Sequence, residues 1–105
     1  MRYLLNSAVI TDPGRYDYRL ISETEMVGWV RTGSWASHIG YQDTAKHIHA
    51  VSGIMPNTNR KIVAMKPGDE ALVVRLKYRV QDPSQKGAYQ PDPDDWEYGI
   101  LQRIE

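Results

Sequence analysis

Cysteine is absent from this 105-residue chain, which excludes a disulfide framework and any thiolate metal site. No apolar run approaches the roughly twenty residues that a helix needs to span a bilayer. Met1 to Ser7 lack the apolar core and the small-residue cleavage site of a signal peptide. These absences fit a cytoplasmic protein with no membrane partner. Net charge is zero, whereas a protein that grips long nucleic acid ordinarily has a strongly basic surface, so long DNA or RNA is not the expected partner. There is no Gly-rich phosphate loop, no nucleophile elbow and no paired-carboxylate signature. His38, His47 and His49 lack a metal spacing, because His47 and His49 diverge on a helix. Neither a metal nor a cofactor is expected, and the chain has no internal repeat or low-complexity tract.

The composition is that of an ordinary globular domain, 41% hydrophobic and 25% charged. The length suits one core and one domain, residues 1–105. Tyr3 to Ile10 reads as a strand, Thr11 to Gly14 as a turn, and Tyr16 to Ile21 as a second strand. Ser22 with Glu25 is a capping-box pattern, predicting a helix to about Arg31 that ends at Thr32 and Gly33. Trp35 to Tyr41 reads as a short strand. A second helix is expected over Gln42 to Ser52, with Ala45, Ile48, Val51 and Met55 on its apolar face and Gly53 as its C-cap.

Arg60 to Lys66 is a further strand candidate, and Pro67 to Asp69 a turn. Glu70 to Val80 alternates, with Leu72, Val74, Leu76, Tyr78 and Val80 on one face and Arg75, Lys77 and Arg79 on the other. Residues 82–95 form a long Pro- and Asp-rich loop whose length suggests a lid. Trp96 to Ile104 should return to the sheet as an edge or closing strand. The fold class is therefore α/β, a mixed sheet of about five to six strands with helices packed on it.

Charge is unevenly spread. Arg60, Lys61, Lys66, Arg75, Lys77 and Arg79 dominate residues 57–80, and six acids dominate the stretch from Gln81 onward. A local anion site is thus compatible with a neutral protein. The stripe Arg75, Lys77, Arg79 is either a phosphate grip or a solvated face with cross-strand charge pairs. At Ile39 to Ala45, Gly40 allows close backbone approach, Asp43 or Thr44 can cap the helix, and the helix start can attract phosphate or bind nothing. His38 lies close to this junction.

In this order the pieces resemble the small viral and mobile-element family that includes the type III anti-CRISPR ring nucleases. The matching stretches are Tyr3 to Ala8, Ile39 to Ala45, Asn59 with Arg60, Gly68 to Val74, and Arg79. The resemblance spans nearly the whole chain. It implies a homodimer that captures cyclic tetra-adenylate, the messenger of type III CRISPR defence, across the dimer interface. Cleavage to linear di-adenylates is then metal-independent, with the ligand's own 2′-hydroxyl as nucleophile. Arg79 matches the family's catalytic arginine, and Asp82 stands where a longer acid is expected. Asn6, Ser7 and Arg60 match positions near the pocket. Gly40 lies beside the ligand, and Gln42, Asp43 and Thr44 offer backbone donors. If the chain is viral, it acts in the host cytosol.

One departure matters for the chemistry. The family's Gly-His pair, whose histidine is the general acid, reads Gly40-Tyr41 here. Histidine titrates near neutrality, but a phenol ordinarily holds its proton to about pH 10, a poor match to catalysis at pH 7. Tyr41 could instead stack on an adenine. The resemblance therefore implies sequestration or slow cleavage. Two alternatives stay open: a fully active ring nuclease, with Tyr41 or His38 as proton donor, and an interaction protein of the same fold that uses exposed tryptophans and the 82–95 loop.

Overall fold

A computed structural model describes residues 1–7, 12–59, 63–76 and 95–105. Among them the chain forms β1 (Arg2–Leu5), β2 (Tyr16–Ile21), α1 (Glu23–Arg31), β3 (Ala36–His38), α2 (Gln42–Ser52), β4 (Glu70–Leu76) and β5 (Trp96–Arg103). The strands make one mixed sheet in the order β2-β5-β4-β1-β3. β1 is parallel to both β3 and β4, while β5 is antiparallel to both β4 and β2. Four strands thus run one way, and β5 alone opposes them.

Both helices pack on one face of this sheet. Met26 and Val30 of α1 and Ala45 and Ile48 of α2 meet Leu4, Leu72, Val74, Trp96, Tyr98 and Ile100. A second cluster, Leu5, Met65, Ala71, Val73 and Leu101, lies on the opposite face. β4 is therefore not the amphipathic strand its alternation suggests. Ala71, Leu72, Val73 and Val74 are all buried, as expected of a central strand covered on both sides. Arg75 is exposed and pairs with its cross-strand neighbour Glu97 at 2.8 Å, the charge-pair reading at that one position, while Lys77, Arg79 and the rest of the expected strand, 77–80, lie outside the described residues.

Local chemistry explains the element ends. Ser22 accepts the Glu25 N–H at 3.2 Å and starts α1, with Glu23 and Glu25 in the first turn and Arg31 in the last, as the helix dipole favours. α2 ends where Gly53 enters the left-handed region at φ 79° and donates its N–H to the His49 carbonyl. Met55 lies beyond that cap and is exposed, so it does not extend the apolar face of α2. At the amino edge of the parallel strands, Arg103 bonds the carbonyls of Pro13 and Met65 and lies over the Tyr16 ring.

Several expectations shift. The 96–104 strand is interior rather than an edge, because β2 pairs along its far side. Residues 63–66 are irregular, and 60–62, the rest of that strand candidate, fall outside the described residues. β1 ends at Leu5; positions 8–10 of the longer expected strand also fall outside. β3 is confined to Ala36–His38, with Ile39 making a single parallel bridge to Thr58. No tryptophan is exposed: Trp29 and Trp35 are half-buried and Trp96 is buried. An interaction surface built on exposed tryptophans is therefore absent.

Ile48 is fully buried between α2 and the sheet. Ile48→Ala should cost about 2–5 kcal/mol of unfolding free energy, read from the denaturant midpoint at unchanged slope.

Candidate functional site

The parallel strands bring their carboxyl ends to one edge, where α/β sheets commonly hold ligands. Leu5 pairs with His38 on one side and with Val73 on the other, so the chain leaves β1 and β3 side by side. Asn6 follows β1 directly, and its Oδ1 accepts the Gly40 N–H at 3.0 Å. That bond ties the end of β1 to the turn entering α2. Asn59 donates its N–H to the Ile39 carbonyl at 2.8 Å, and Ser37 Oγ bonds the Asn57 carbonyl, so residues 57–59 border the same turn.

The start of α2 differs from that of α1. Tyr41, not Asp43 or Thr44, occupies the N-cap position, in an extended conformation and with no side-chain cap bond. The expectation of an Asp or Thr cap fails because the helix begins at Gln42, ahead of the start that either cap requires. Gln42, Asp43 and Thr44 are thus the first helical residues, whose N–H groups have no acceptor within the helix. The Ala45 N–H is the first to close, on the Tyr41 carbonyl at 3.3 Å. Such a start, at the positive end of the helix dipole, suits a phosphate.

The described site residues therefore converge. Asn6, Gly40 and Tyr41 share one turn, Ser7 is exposed beside Asn6, and Gln42 and Asp43 are exposed. Thr44 is buried, so it can offer its backbone rather than its hydroxyl. Tyr41 is 45% exposed, enough to present a ring face to a ligand. His38 pairs with Leu5, and its ring meets Tyr3 edge-on at 5.7 Å, on the sheet face away from the helices. Arg60, Arg79 and Asp82 lie outside the described residues, as does the 82–95 loop apart from Asp95. No group of three metal-binding side chains occurs among the described residues.

A family model described as STIV B116-like matches residues 2–89. The chain belongs to the STIV B116-like family. This STIV B116-like chain is 37% identical over 77 residues to YddF, an uncharacterized protein of Bacillus subtilis (strain 168), across 71% of each chain. Its fold matches B116 of Sulfolobus turreted icosahedral virus with a TM-score of 0.72 at 16% identity, over 96% of this chain and 97% of that one. The five-stranded mixed sheet with its two helices, as described for this chain, thus follows the B116 fold. Among the described residues no helix is long and apolar enough to cross a membrane.

One cluster of the STIV B116-like chain has no signal in the sequence. His47, one turn into α2, stacks on Trp96 with ring centres 4.2 Å apart and shares a 2.6 Å hydrogen bond with the Tyr98 hydroxyl. Burial lowers the His47 pKa to about 4. Burial, aided by the Glu23 charge, pushes Tyr98 up to about 12. Both groups stay neutral at pH 7 and pin α2, with its open start, to β5. Only tertiary contact joins residues so far apart in sequence, so spacing could not reveal them.

Folding thus lowers the His47 pKa, so between about pH 6.5 and 4 the unfolded chain takes up a proton that the folded chain refuses. Melting temperature should fall on acidification through that window, and the fall should be smaller in His47→Phe. Asn6→Ala should cost about 1 kcal/mol by stranding the Gly40 N–H, measured by chemical unfolding.

Proposed function

We propose that this chain binds a cyclic oligoadenylate, cyclic tetra-adenylate, as a homodimer at the carboxyl edge of its parallel strands. It thereby neutralises a defence signal by sequestration or slow metal-independent cleavage. The observation that carries this reading is the open start of α2, held against the end of β1 by the Asn6–Gly40 bond in a member of the STIV B116-like family. A two-fold dimer presents two such starts, and a cyclic anion with repeating phosphates suits that symmetry.

In cleavage, the ribose 2′-oxygen forms a bond to phosphorus as the bond to the 5′-oxygen breaks. The proton lost from the 2′-hydroxyl is matched by one gained at the leaving 5′-oxygen. The amides of Gln42, Asp43 and Thr44, with Arg79 and Arg60, stabilise the charge that builds on phosphorus-bound oxygens. Asp82 supports the same step. In this reading Tyr41 covers an adenine or donates the final proton, a step for which a phenol is ordinarily a poor match at neutral pH. Binding therefore outlasts chemistry.

Incubation with cyclic tetra-adenylate should raise the melting temperature while linear di-adenylate accumulates slowly or not at all by chromatography. An unchanged melting temperature at ligand excess contradicts the reading. Tyr41→His should speed cleavage about a hundredfold or more, measured in single turnover. Arg79→Ala should weaken binding and lower any turnover about a hundredfold. Equal affinity and turnover in that variant would remove Arg79 from the site.

A further inference from the structure

Breaking a phosphodiester by attack of its own 2′-hydroxyl requires a proton at the leaving 5′-oxygen, because a bare alkoxide leaves poorly at neutral pH. A phenol ordinarily keeps its proton to about pH 10, whereas an imidazole ordinarily exchanges one near pH 6.5. The fold treats the three histidines differently. His47 is stacked on Trp96 and bonded to Tyr98, and burial lowers its pKa to about 4, so it is not an imidazolium at pH 7. His49 lies in the last turn of α2, at the other end of the helix from its open start. His38 is the last residue of β3, at the carboxyl edge of the parallel strands. We propose that His38 is the catalytic residue that protonates the leaving 5′-oxygen, which leaves Tyr41 to cover the base. This rests on the binding of cyclic tetra-adenylate proposed for that edge.

Strand register carries the placement. Leu4 faces the helices, so Tyr3 and Leu5 face the other side, and His38 pairs with Leu5 and shares that face. The next residue of β1's path is Asn6, whose side chain accepts the Gly40 N–H. Two residues of chain span at most about 7 Å, so Gly40 lies no further than that from His38. The His38 ring and the open start of α2 therefore flank one edge from opposite faces of the sheet. The oxygens of a phosphodiester are tetrahedral. With its non-bridging oxygens on the amides of Gln42, Asp43 and Thr44, its bridging oxygens turn away from the helix, toward the His38 side.

The surroundings hold this ring in place. Tyr3, one rung back toward the amino end, meets it edge-on. Ser37 bonds the Asn57 carbonyl and Ile39 bridges Thr58, so both chain neighbours of His38 are tied to residues 57–59. A group on a strand supported in this way is placed more precisely than one on a loop. His38 is half-buried. The titratable groups near it among the described residues are Tyr3 from β1 and Tyr41 beyond the turn. Burial, then the Asp69 charge, push the Tyr3 phenol up, so it stays neutral. Asp69 itself is paired with the Met1 ammonium and accepts the Lys66 N–H. Residues 57–59 carry no titratable side chain.

In the step, the 2′-oxygen bonds to phosphorus and yields its proton to water. The bond from phosphorus to the 5′-oxygen breaks, and the His38 imidazolium gives that oxygen its proton. The products are a 2′,3′-cyclic phosphate end and a 5′-hydroxyl end, and the neutral imidazole regains a proton from water. Only the protonated ring acts, so cleavage should fall as pH rises through the imidazole range.

The test is single-turnover cleavage of cyclic tetra-adenylate from about pH 5.5 to about pH 9, with the ligand-induced melting shift measured on the same samples. The wild-type rate should fall about tenfold per pH unit above a midpoint near the ordinary imidazole value. His38→Gln, which keeps bulk against Tyr3, should lose about a hundredfold in rate and the pH-dependent fall, yet keep the melting shift. His38→Ala should be as slow, and added imidazole should restore part of its rate. Tyr41→Phe should keep the pH-dependent fall. Wild-type rate or wild-type pH dependence in His38→Gln overturns the proposal. A melting shift with no product from the wild type at any pH also overturns it and leaves the chain a sequestering protein. No melting shift in any chain, wild type included, sinks the binding reading and the role of His38 with it.

Discussion

The structure depends on covering β4 on both faces. Ala71 to Val74 are buried on each side, so one layer cannot satisfy the strand. The two helices close one side through Met26, Val30, Ala45 and Ile48, and Leu5, Met65 and Leu101 gather on the other. Parallel neighbours joined through helices follow from that demand. They place the exits of β1, β3 and β4 on the same edge, opposite the edge that Arg103 fastens. The location of the candidate site is a consequence of how the core is covered.

Within that edge, the two helix starts have different fates. α1 begins with a serine that occupies an amide of its first turn, and α2 begins with a tyrosine that occupies none. Asn6 fixes the backbone just before the open start, at the Gly40 amide. One turn further along, the neutral His47, Trp96 and Tyr98 hold the same helix to β5. A helix start serves as an anion site only if the helix cannot shift, and these two attachments supply that rigidity. Tyr41, exposed at the N-cap position, stands at the opening of that start.

Much of this was legible in the residues. Ser22 and Glu25 predict the start of α1, and Gly53 the end of α2, because capping is local chemistry. Tyr16–Ile21 and Gln42–Ser52 match their expected spans. The interior position of β5 was not legible, since alternation shows which residues face inward but not which strands flank them. β4 misled because Arg75, its one described cation, falls near the end of a strand whose buried part, Ala71 to Val74, is apolar at every position. The cap of α2 was misplaced because Asp43 and Thr44 favour capping intrinsically, while tertiary pairing of β3 and the Asn6 bond start the helix earlier. The gathering of Asn6, Gly40 and Tyr41 followed from family resemblance rather than from any local pattern.

The most direct test of the account is to follow backbone amide resonances by nitrogen-edited NMR during titration with cyclic tetra-adenylate. The amides of Gln42, Asp43 and Thr44, the open start of α2, should show the largest early shifts, with those of Asn6 and Ser7 following. Saturable binding that leaves these amides unmoved and shifts another surface would contradict the claim that the helix start holds the phosphate.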